Sequence, residues 1–379
     1  MKIVLAPDSF KESMTAKEAC DAMEKGIKRV FPGAECIKVP MADGGEGTVQ
    51  SLIDATEGEL IEVSTIAPLG NEIKASFGLL GGGQGAVIEM AAASGLHLVP
   101  LEKRNPLITT SYGTGVLIKE ALNRGVKNIL IGIGGSATND GGAGMLQALG
   151  IKLLDEAGRE LPFGGGALDR LKTIDIQGLD KRILETNIQV ACDVTNPLIG
   201  KNGASAVFGP QKGATVEMVE ILDRNLTHFA EVIKQELGID IAQVPGGGAA
   251  GGLGASLKAI LKAELKSGVE LVVEYTSLME KVQGASYVFT GEGSIDSQTI
   301  NGKTPFGVAQ VAKKQGVPVI AFAGRVGQGS EVLYNHGINS IIGILPEAVE
   351  LNKALIDGKE NLERAAESIM RILSIDKTE

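Results

Sequence analysis

Val288-Phe-Thr-Gly-Glu-Gly-Ser-Ile-Asp-Ser-Gln-Thr-Ile-Asn-Gly-Lys-Thr304 is an apolar run that passes directly into glycines, acids and a lysine. The same arrangement recurs in Leu5-Ala-Pro-Asp-Ser-Phe-Lys11, in Ala42-Asp-Gly-Gly-Glu-Gly47 and in Gly132-Ile-Gly-Gly-Ser-Ala-Thr-Asn-Asp-Gly-Gly142. Each time a short strand ends, and glycines follow at once with Asp, Glu, Lys, Ser or Asn. In a parallel sheet such strand ends lie along one edge, where ligands bind. Glycine lets backbone N–H groups approach an anion, and acids can hold a cation. Phosphate together with a metal suits these residue types, which points to kinase-like chemistry.

Composition narrows the choice. At 379 residues the chain is long enough for two domains of roughly 100–200 residues each. A 44% apolar fraction supports a large core, and the 52 glycines cluster in short stretches, which indicates tight loops rather than a low-complexity tail. The net charge of −10 argues against a nucleic-acid surface, which needs a basic face. Cys20, Cys36 and Cys192 are far apart with no C-x-x-C pair, so neither a zinc site nor a disulfide framework is expected. Reduced thiols fit a cytoplasmic location. The apolar run at the amino terminus is too short for a signal peptide, and none reaches the roughly 18 residues of a membrane span.

Residues 3–6 read as a buried strand stopped by Pro7. Thr15-Ala-Lys-Glu18 has the spacing of a capping box, and Ala19, Met23, Ile27 and Val30 follow at helical spacing as far as Pro32-Gly33. A second strand at 37–39 leads to Asp43, and a helix through Val49, Leu52 and Ile53 comes next. This is the opening of a doubly wound α/β domain. Segments 60–66, 73–80 and 86–90 are strand-like with glycine-containing turns between them, which predicts antiparallel hairpins. The α/β pattern returns with a helix over 115–123 and a strand over 128–133. A strand at 188–192, a long amphipathic helix at 216–237 and a glycine-rich stretch at 245–254 follow. The last third reads as strands at 287–290, 317–323 and 341–344 with helices at 305–314 and 362–373. The predicted fold class is α/β. A flavodoxin- or Rossmann-like, mostly parallel sheet domain is formed by 1–66, 105–150 and 285–379. An α+β domain with a mixed sheet, formed by 67–104 and 151–284, is inserted in it.

Each loop admits a plain alternative. Asp8 and Lys11 could serve chemistry or sit in a polar turn. Asp43-Gly-Gly-Glu-Gly47 could hold a metal or a hydroxyl, or could simply open a helix. The loop 134–142 is a ready anion site at a helix start, or a tight strand–helix junction. From Gly132 its letters also fit the dinucleotide pattern G-x-G-x-x-A with Asp155 downstream, although the first glycine belongs to the strand. Asp193-Val-Thr-Asn196 suits a hydrated cation or a substrate hydroxyl, or an Asx-type turn before Pro197. Lys212 lies in a loop fit for phosphate. Gly302-Lys-Thr304 resembles the end of a P-loop, but Ser297 stands where that motif needs glycine, so a Walker A assignment fails. His97, His228 and His336 show no triad or metal-ligand spacing.

Taken together, these blocks resemble the bacterial glycerate kinase family, the type found in glyoxylate and galactarate pathways. Ala-Pro-Asp-Ser-Phe-Lys at 6–11 and Ala-Asp-Gly-Gly-Glu-Gly-Thr at 42–48 carry the likeness, with Gly-Gly-Ser-Ala-Thr-Asn-Asp-Gly-Gly at 134–142 and Cys-Asp-Val-Thr-Asn-Pro at 192–197. Gly-Pro-Gln-Lys-Gly at 209–213 and Thr-Gly-Glu-Gly-Ser-Ile-Asp-Ser-Gln at 290–298 complete it. Glu12 departs from the family, where glycine is expected in many members. The resemblance implies ATP-dependent phosphorylation of D-glycerate to 2-phosphoglycerate, in a two-domain enzyme with a cleft between its domains. The partners implied are small molecules, with no nucleic acid and no membrane, and a homodimer is allowed for.

On this basis Lys11 is expected to face the glycerate carboxylate, with Ser9, Thr195 and Asn196 completing the substrate contacts. Asp193 is the first candidate to accept the proton of the attacking hydroxyl, then Asp43, with Asp8 as a further catalytic candidate. ATP phosphates are expected on Gly134, Gly135, Ser136, Asn139 and Asp140 and on Gly291 and Gly293, with Lys212 or Lys303 supplying positive charge. Glu292 and Asp296 are the candidates for Mg²⁺. Two other functions compete with this one. An oxidoreductase would use the Gly132 pattern, and a non-enzymatic sugar-acid-binding regulator would need fewer acids.

Overall fold

The expected capping box forms. The Glu18 backbone N–H donates to Thr15 Oγ1 at 3.2 Å, and the Thr15 N–H donates to the Glu18 carboxylate at 2.9 Å. Two otherwise orphaned donors are satisfied, so the helix Ala16–Val30 begins at this point. The structure, a computed structural model, describes residues 1–375. It comprises two units, one formed by Met1–Asp43, Gln50–Glu57 and the chain from residue 268 onward, the other by Gly44–Val49 and Gly58–Ser267.

The first unit is built on a five-stranded sheet in the order Ser340–Gly343, Val319–Val326, Tyr287–Ile295, Lys2–Leu5, Glu35–Lys38. Every pairing in it is parallel. A fully parallel sheet is buried on both faces, which explains the continuous apolar strands. Ile3, Leu5, Phe289 and Phe322 pack with Met23 and Ile27 of the helix Ala16–Val30 and with Leu362 and Met370 of the helix Gly358–Ser374. The first and last helices of the unit touch at Gly26, where a Cβ would overlap the Glu363 carbonyl and approach Ala366 Cβ to 3.0 Å. Arg29 reaches Glu363 and Glu367 across the same contact.

The second unit has a six-stranded sheet in the order Glu264–Lys266, Asn187–Ala191, Asn128–Gly132, Gly85–Glu89, Glu72–Leu79, Glu59–Ile66. Its first four strands are parallel. Its last two join as the antiparallel hairpins expected from the turn residues. The strand Asn128–Gly132 was expected with the first sheet but pairs here, and residues 58–66 and 105–150 lie in this unit. The cause is local. Gly85–Glu89, the helix Tyr112–Asn123 and Asn128–Gly132 make one strand–helix–strand crossover, which places its second strand beside its first. Residues 268–284 lie in the first unit instead, as the helices Gly268–Tyr275 and Leu278–Val282. Among the described residues, no helix is long and apolar enough to cross a membrane.

Substituting Gly26→Leu is expected to force the first and last helices apart and to cost about 1–3 kcal/mol of stability, the usual size of overpacking. Urea denaturation checks it, and an unchanged midpoint would mean that the two helices have slack.

Candidate functional site

The strand order of the first unit sets Glu292, Asp8 and Asp43 along one edge, because each lies on, or just beyond, one of three neighbouring strands. Asp8 is half-buried. Its Oδ1 accepts from the Ser9 N–H at 2.6 Å and from the Ser9 hydroxyl at 3.3 Å, and its Oδ2 accepts from the Thr304 hydroxyl. Burial, helped by the charge of Asp43, pushes the Asp8 carboxyl up to about 6 against the pull of the Thr304 and Ser9 donors. Glu292 Oε1 accepts from the Thr299 hydroxyl at 3.2 Å and lies 3.4 Å from the Lys303 ammonium. Burial pushes Glu292 up to about 7, and the Asp8 charge adds to this while Lys303 opposes it. Lys303 is the N-cap of the helix Thr304–Lys314, so consecutive residues at one helix start engage Glu292 and Asp8. The result is a cluster in which burial raises two neighbouring carboxyls towards neutral pH.

Several expectations change here. Gly291, Glu292 and Gly293 are not a loop, since the strand runs on to Ile295 with Gly291 paired to Phe322. A Cβ on Gly291 would overlap the Phe322 carbonyl, so strand packing requires a glycine here. Asp296 accepts from the Gln298 N–H at 2.8 Å and caps a short 3₁₀ turn. Glu292 and Asp296 both neighbour the Thr299 hydroxyl, which donates to Glu292 and accepts from the Asp296 N–H at 3.2 Å. Among the described residues no group of three or more His, Cys, Asp or Glu is placed to hold a metal. Ser9 spends its hydroxyl on Asp8, and Lys11 is exposed. Thr299 and Thr304, both fully buried, were missed as site residues.

In the second unit the loop after Asn128–Gly132 is held from within. The Lys212 ammonium, 1% exposed, donates to Ser136 Oγ at 2.7 Å and to the Thr138 carbonyl at 2.6 Å. Burial drags Lys212 down to about 7, with Asp140 opposing. Asp140 accepts from the Ser111 N–H and hydroxyl at 2.9 and 2.8 Å and from the Gly142 and Gly144 N–H groups at 3.1 and 3.2 Å. Asn139 donates to Ser205 Oγ at 2.9 Å. Ser136, Asn139, Asp140 and Lys212, expected on ATP phosphates, are thus buried partners of one another and of Ser111 and Ser205. Only Gly134 and Gly135 of that expected set are exposed. The dinucleotide pattern also lapses, because the next helix starts only at Ala143 and Asp155 sits in a turn accepting from Ala157 and Arg159.

Asp193 and Thr195 are exposed beyond the strand Asn187–Ala191. Asn196 donates to the Asn202 carbonyl at 2.9 Å.

This unit also contains a pocket of about 530 Å³, which the residue patterns did not reveal. It lies at the ends of Gly85–Glu89 and Asn128–Gly132, walled by Gly44, Gly45, Glu46, Glu89, Ala91, Ala92, His97, Gly132, Gly134 and Gly135. Gly132 must lack a side chain because a Cβ there would lie 2.6 Å from the Gly44 carbonyl. Glu89 Oε1 accepts from the Val49 N–H at 2.9 Å. Burial raises the Glu89 carboxyl, against the N–H donors of Val49, Gly47 and Thr48.

Lys212 binds its extra proton less readily in the folded chain than in the unfolded one. The unfolded state therefore holds more protons between about pH 7 and 10.5, and stability rises with pH across that window. Lys212→Met is expected to flatten this rise, read from urea midpoints at the two ends of the window. An equal rise in both proteins would place the titration elsewhere.

Residues 3–374 match the profile of the glycerate kinase family. The glycerate kinase of Bacillus subtilis (strain 168) is 56% identical over 378 residues, covering 100% of this chain and 99% of that protein. The glycerate 2-kinase of Escherichia coli (strain K12) is 55% identical over 375 residues, covering 99% and 98%. A crystal structure from Salmonella typhimurium LT2, assigned as a glycerate kinase 2, superposes with a TM-score of 0.93 at 50% identity over 100% of both chains. With the family profile spanning nearly its whole length and relatives this similar end to end, the chain belongs to the glycerate kinase family.

Proposed function

We propose that this chain transfers the γ-phosphoryl group of ATP to the C2 hydroxyl of D-glycerate, giving 2-phospho-D-glycerate and ADP. Family membership and the E. coli glycerate 2-kinase at 55% identity support the substrate and the position of transfer. The observation that carries the chemistry is the Asp8 carboxyl, set beside Thr304 with its pKa at about 6. A general base works best when its pKa lies near the working pH, so that it is ionised yet still basic.

In this reading the C2 oxygen attacks the γ-phosphorus, the bond from phosphorus to the β,γ-bridging oxygen breaks, and ADP leaves. Asp8 accepts the hydroxyl proton. Thr304 and the Ser9 N–H hold the carboxylate in place for it. Lys11, exposed just beyond, supplies the cation for the glycerate carboxylate. Asp43 acts on Asp8 by its charge. Asp193 with Thr195 and Asn196 remains a substrate-contact proposal, and Asp193 is the competing base. Mg²⁺ would accompany the nucleotide phosphates and neutralise their charge. The protein's task is then mainly positioning and charge stabilisation.

A coupled assay with ATP, Mg²⁺ and D-glycerate, read through enolase without a mutase, is expected to give signal only from the 2-phosphate. A signal that requires the mutase would reassign the product. Asp8→Asn is expected to lower kcat by about 10²–10⁴, the usual reach of a general base. A larger loss in Asp193→Asn would move that role to Asp193. Because Asp8 must lose its proton to act, kcat/KM is expected to rise with pH through about 6. A profile flat from about pH 5 to 7 would remove Asp8 as the base.

Stability runs the other way. Asp8 and Glu292 hold protons more tightly when folded, so it falls as pH rises from their ordinary values near 4 towards about 6 and 7. Glu292→Gln is expected to shallow that decline in ligand-free denaturation curves.

A further inference from the structure

We infer that the pocket at the ends of Gly85–Glu89 and Asn128–Gly132 takes the nucleoside part of the phosphoryl donor, its base and ribose. The inference rests on the reading of the chain as an ATP-dependent kinase and adds where the uncharged end of the nucleotide sits. Size is the first reason. A volume of about 530 Å³ falls inside the range of roughly 300–1,000 Å³ typical of small-molecule sites, whereas glycerate would leave most of it empty.

Charge is the second reason. The wall carries the carboxylates of Glu46 and Glu89 and the imidazole of His97, and among the described residues it includes neither lysine nor arginine. Such a wall repels a carboxylate or a phosphate and welcomes neutral hydroxyls. Glu89 is committed to the Val49 N–H, while Glu46 is exposed. Glu46 is thus the acceptor for the paired ribose hydroxyls, the use that an acid near a strand end finds in other nucleotide sites.

Surface shape is the third reason. Gly134, Gly135, Ala91 and Ala92 present backbone and methyl groups, a surface against which a flat base can lie. The exposed ring of His97 stands at the same wall and can stack on the base. Position agrees with all three, since open parallel sheets bind nucleotides beyond the carboxyl ends of their strands.

The test fills the pocket without disturbing the fold. A Cβ on Gly134 would meet nothing nearer than Gly45 Cα at 4.0 Å, so Gly134→Leu has room to project. Adenosine, which carries no phosphate, is titrated by calorimetry into the full chain, into Gly134→Leu and into His97→Ala, each first shown to unfold cooperatively like the parent. The parent is expected to bind adenosine, both variants to bind it at least about tenfold more weakly, and the KM for ATP to rise by a similar factor while that for D-glycerate stays within about twofold. No adenosine binding by the parent, unchanged binding in both variants, or a rise confined to the D-glycerate KM would each overturn the assignment. If the parent fails to phosphorylate glycerate, the kinase reading falls by itself, and the adenosine titration still decides the pocket.

Discussion

A single hydrogen bond, from the Thr304 hydroxyl to the Asp8 carboxylate, joins positions 296 residues apart. It can form because Lys2–Leu5 and Tyr287–Ile295 are neighbours in the sheet, with Leu5 opposite Phe289. Parallel pairing brings the two strand ends level, and the helix that follows the second strand starts beside the loop that follows the first. Lys303, one residue earlier, points its ammonium at Glu292. Two acids that would repel one another if both were ionised are held together by adjacent residues of one helix start. Their titration belongs to the pair as much as to either group.

The second unit uses the opposite sign for a structural end. Lys212 is drawn inside and ties down the loop at Ser136 and Thr138, while Asp140 gathers four donors from Ser111, Gly142 and Gly144. A buried polar network of this kind fixes one arrangement where its members are paired, as Lys212 and Asp140 are, whereas Thr138 Oγ1 and Asn139 Oδ1 are buried without a hydrogen-bond partner. The polar side chains of the loop turn inward and leave Gly134 and Gly135 as its outer surface. That stretch is braced from within by its own side chains, and its exposed part is bare backbone.

Much of the fold was legible because local chemistry dictated it. Thr15 and Glu18 announced a helix start, and the long helix appears as read, Val216–Leu237. Periodicity identified the strand near 128–132 but carried no information on its partner, and partnership decides which unit it joins. The connection rule for a strand–helix–strand unit was available and would have placed it beside Gly85–Glu89. At Gly291 the sequence suggested that a strand stops, whereas glycine there lets Phe322 approach and the strand continues. Asp8, Glu292 and Lys303 were readable as charged residues after apolar runs. Thr299 and Thr304 were not, because a hydroxyl that will be buried looks like any other. Burial of Lys212 was not legible either, since nothing in Gly209-Pro-Gln-Lys-Gly213 announces a lysine that is 1% exposed. Glu12 stands where glycine was expected, and its φ of 62° is the left-handed conformation that glycine adopts without strain.

Lys212 has one more consequence. An amine drawn down to about 7 is about half unprotonated, and so nucleophilic, in neutral solution, yet its surroundings seal it from reagents. Acylating agents would reach it only during the moments when the brace comes apart. The rate at which Lys212 is labelled, set against that of the exposed Lys11, would therefore time the opening of the second unit's loop, with the protein's own side chain as the stopwatch.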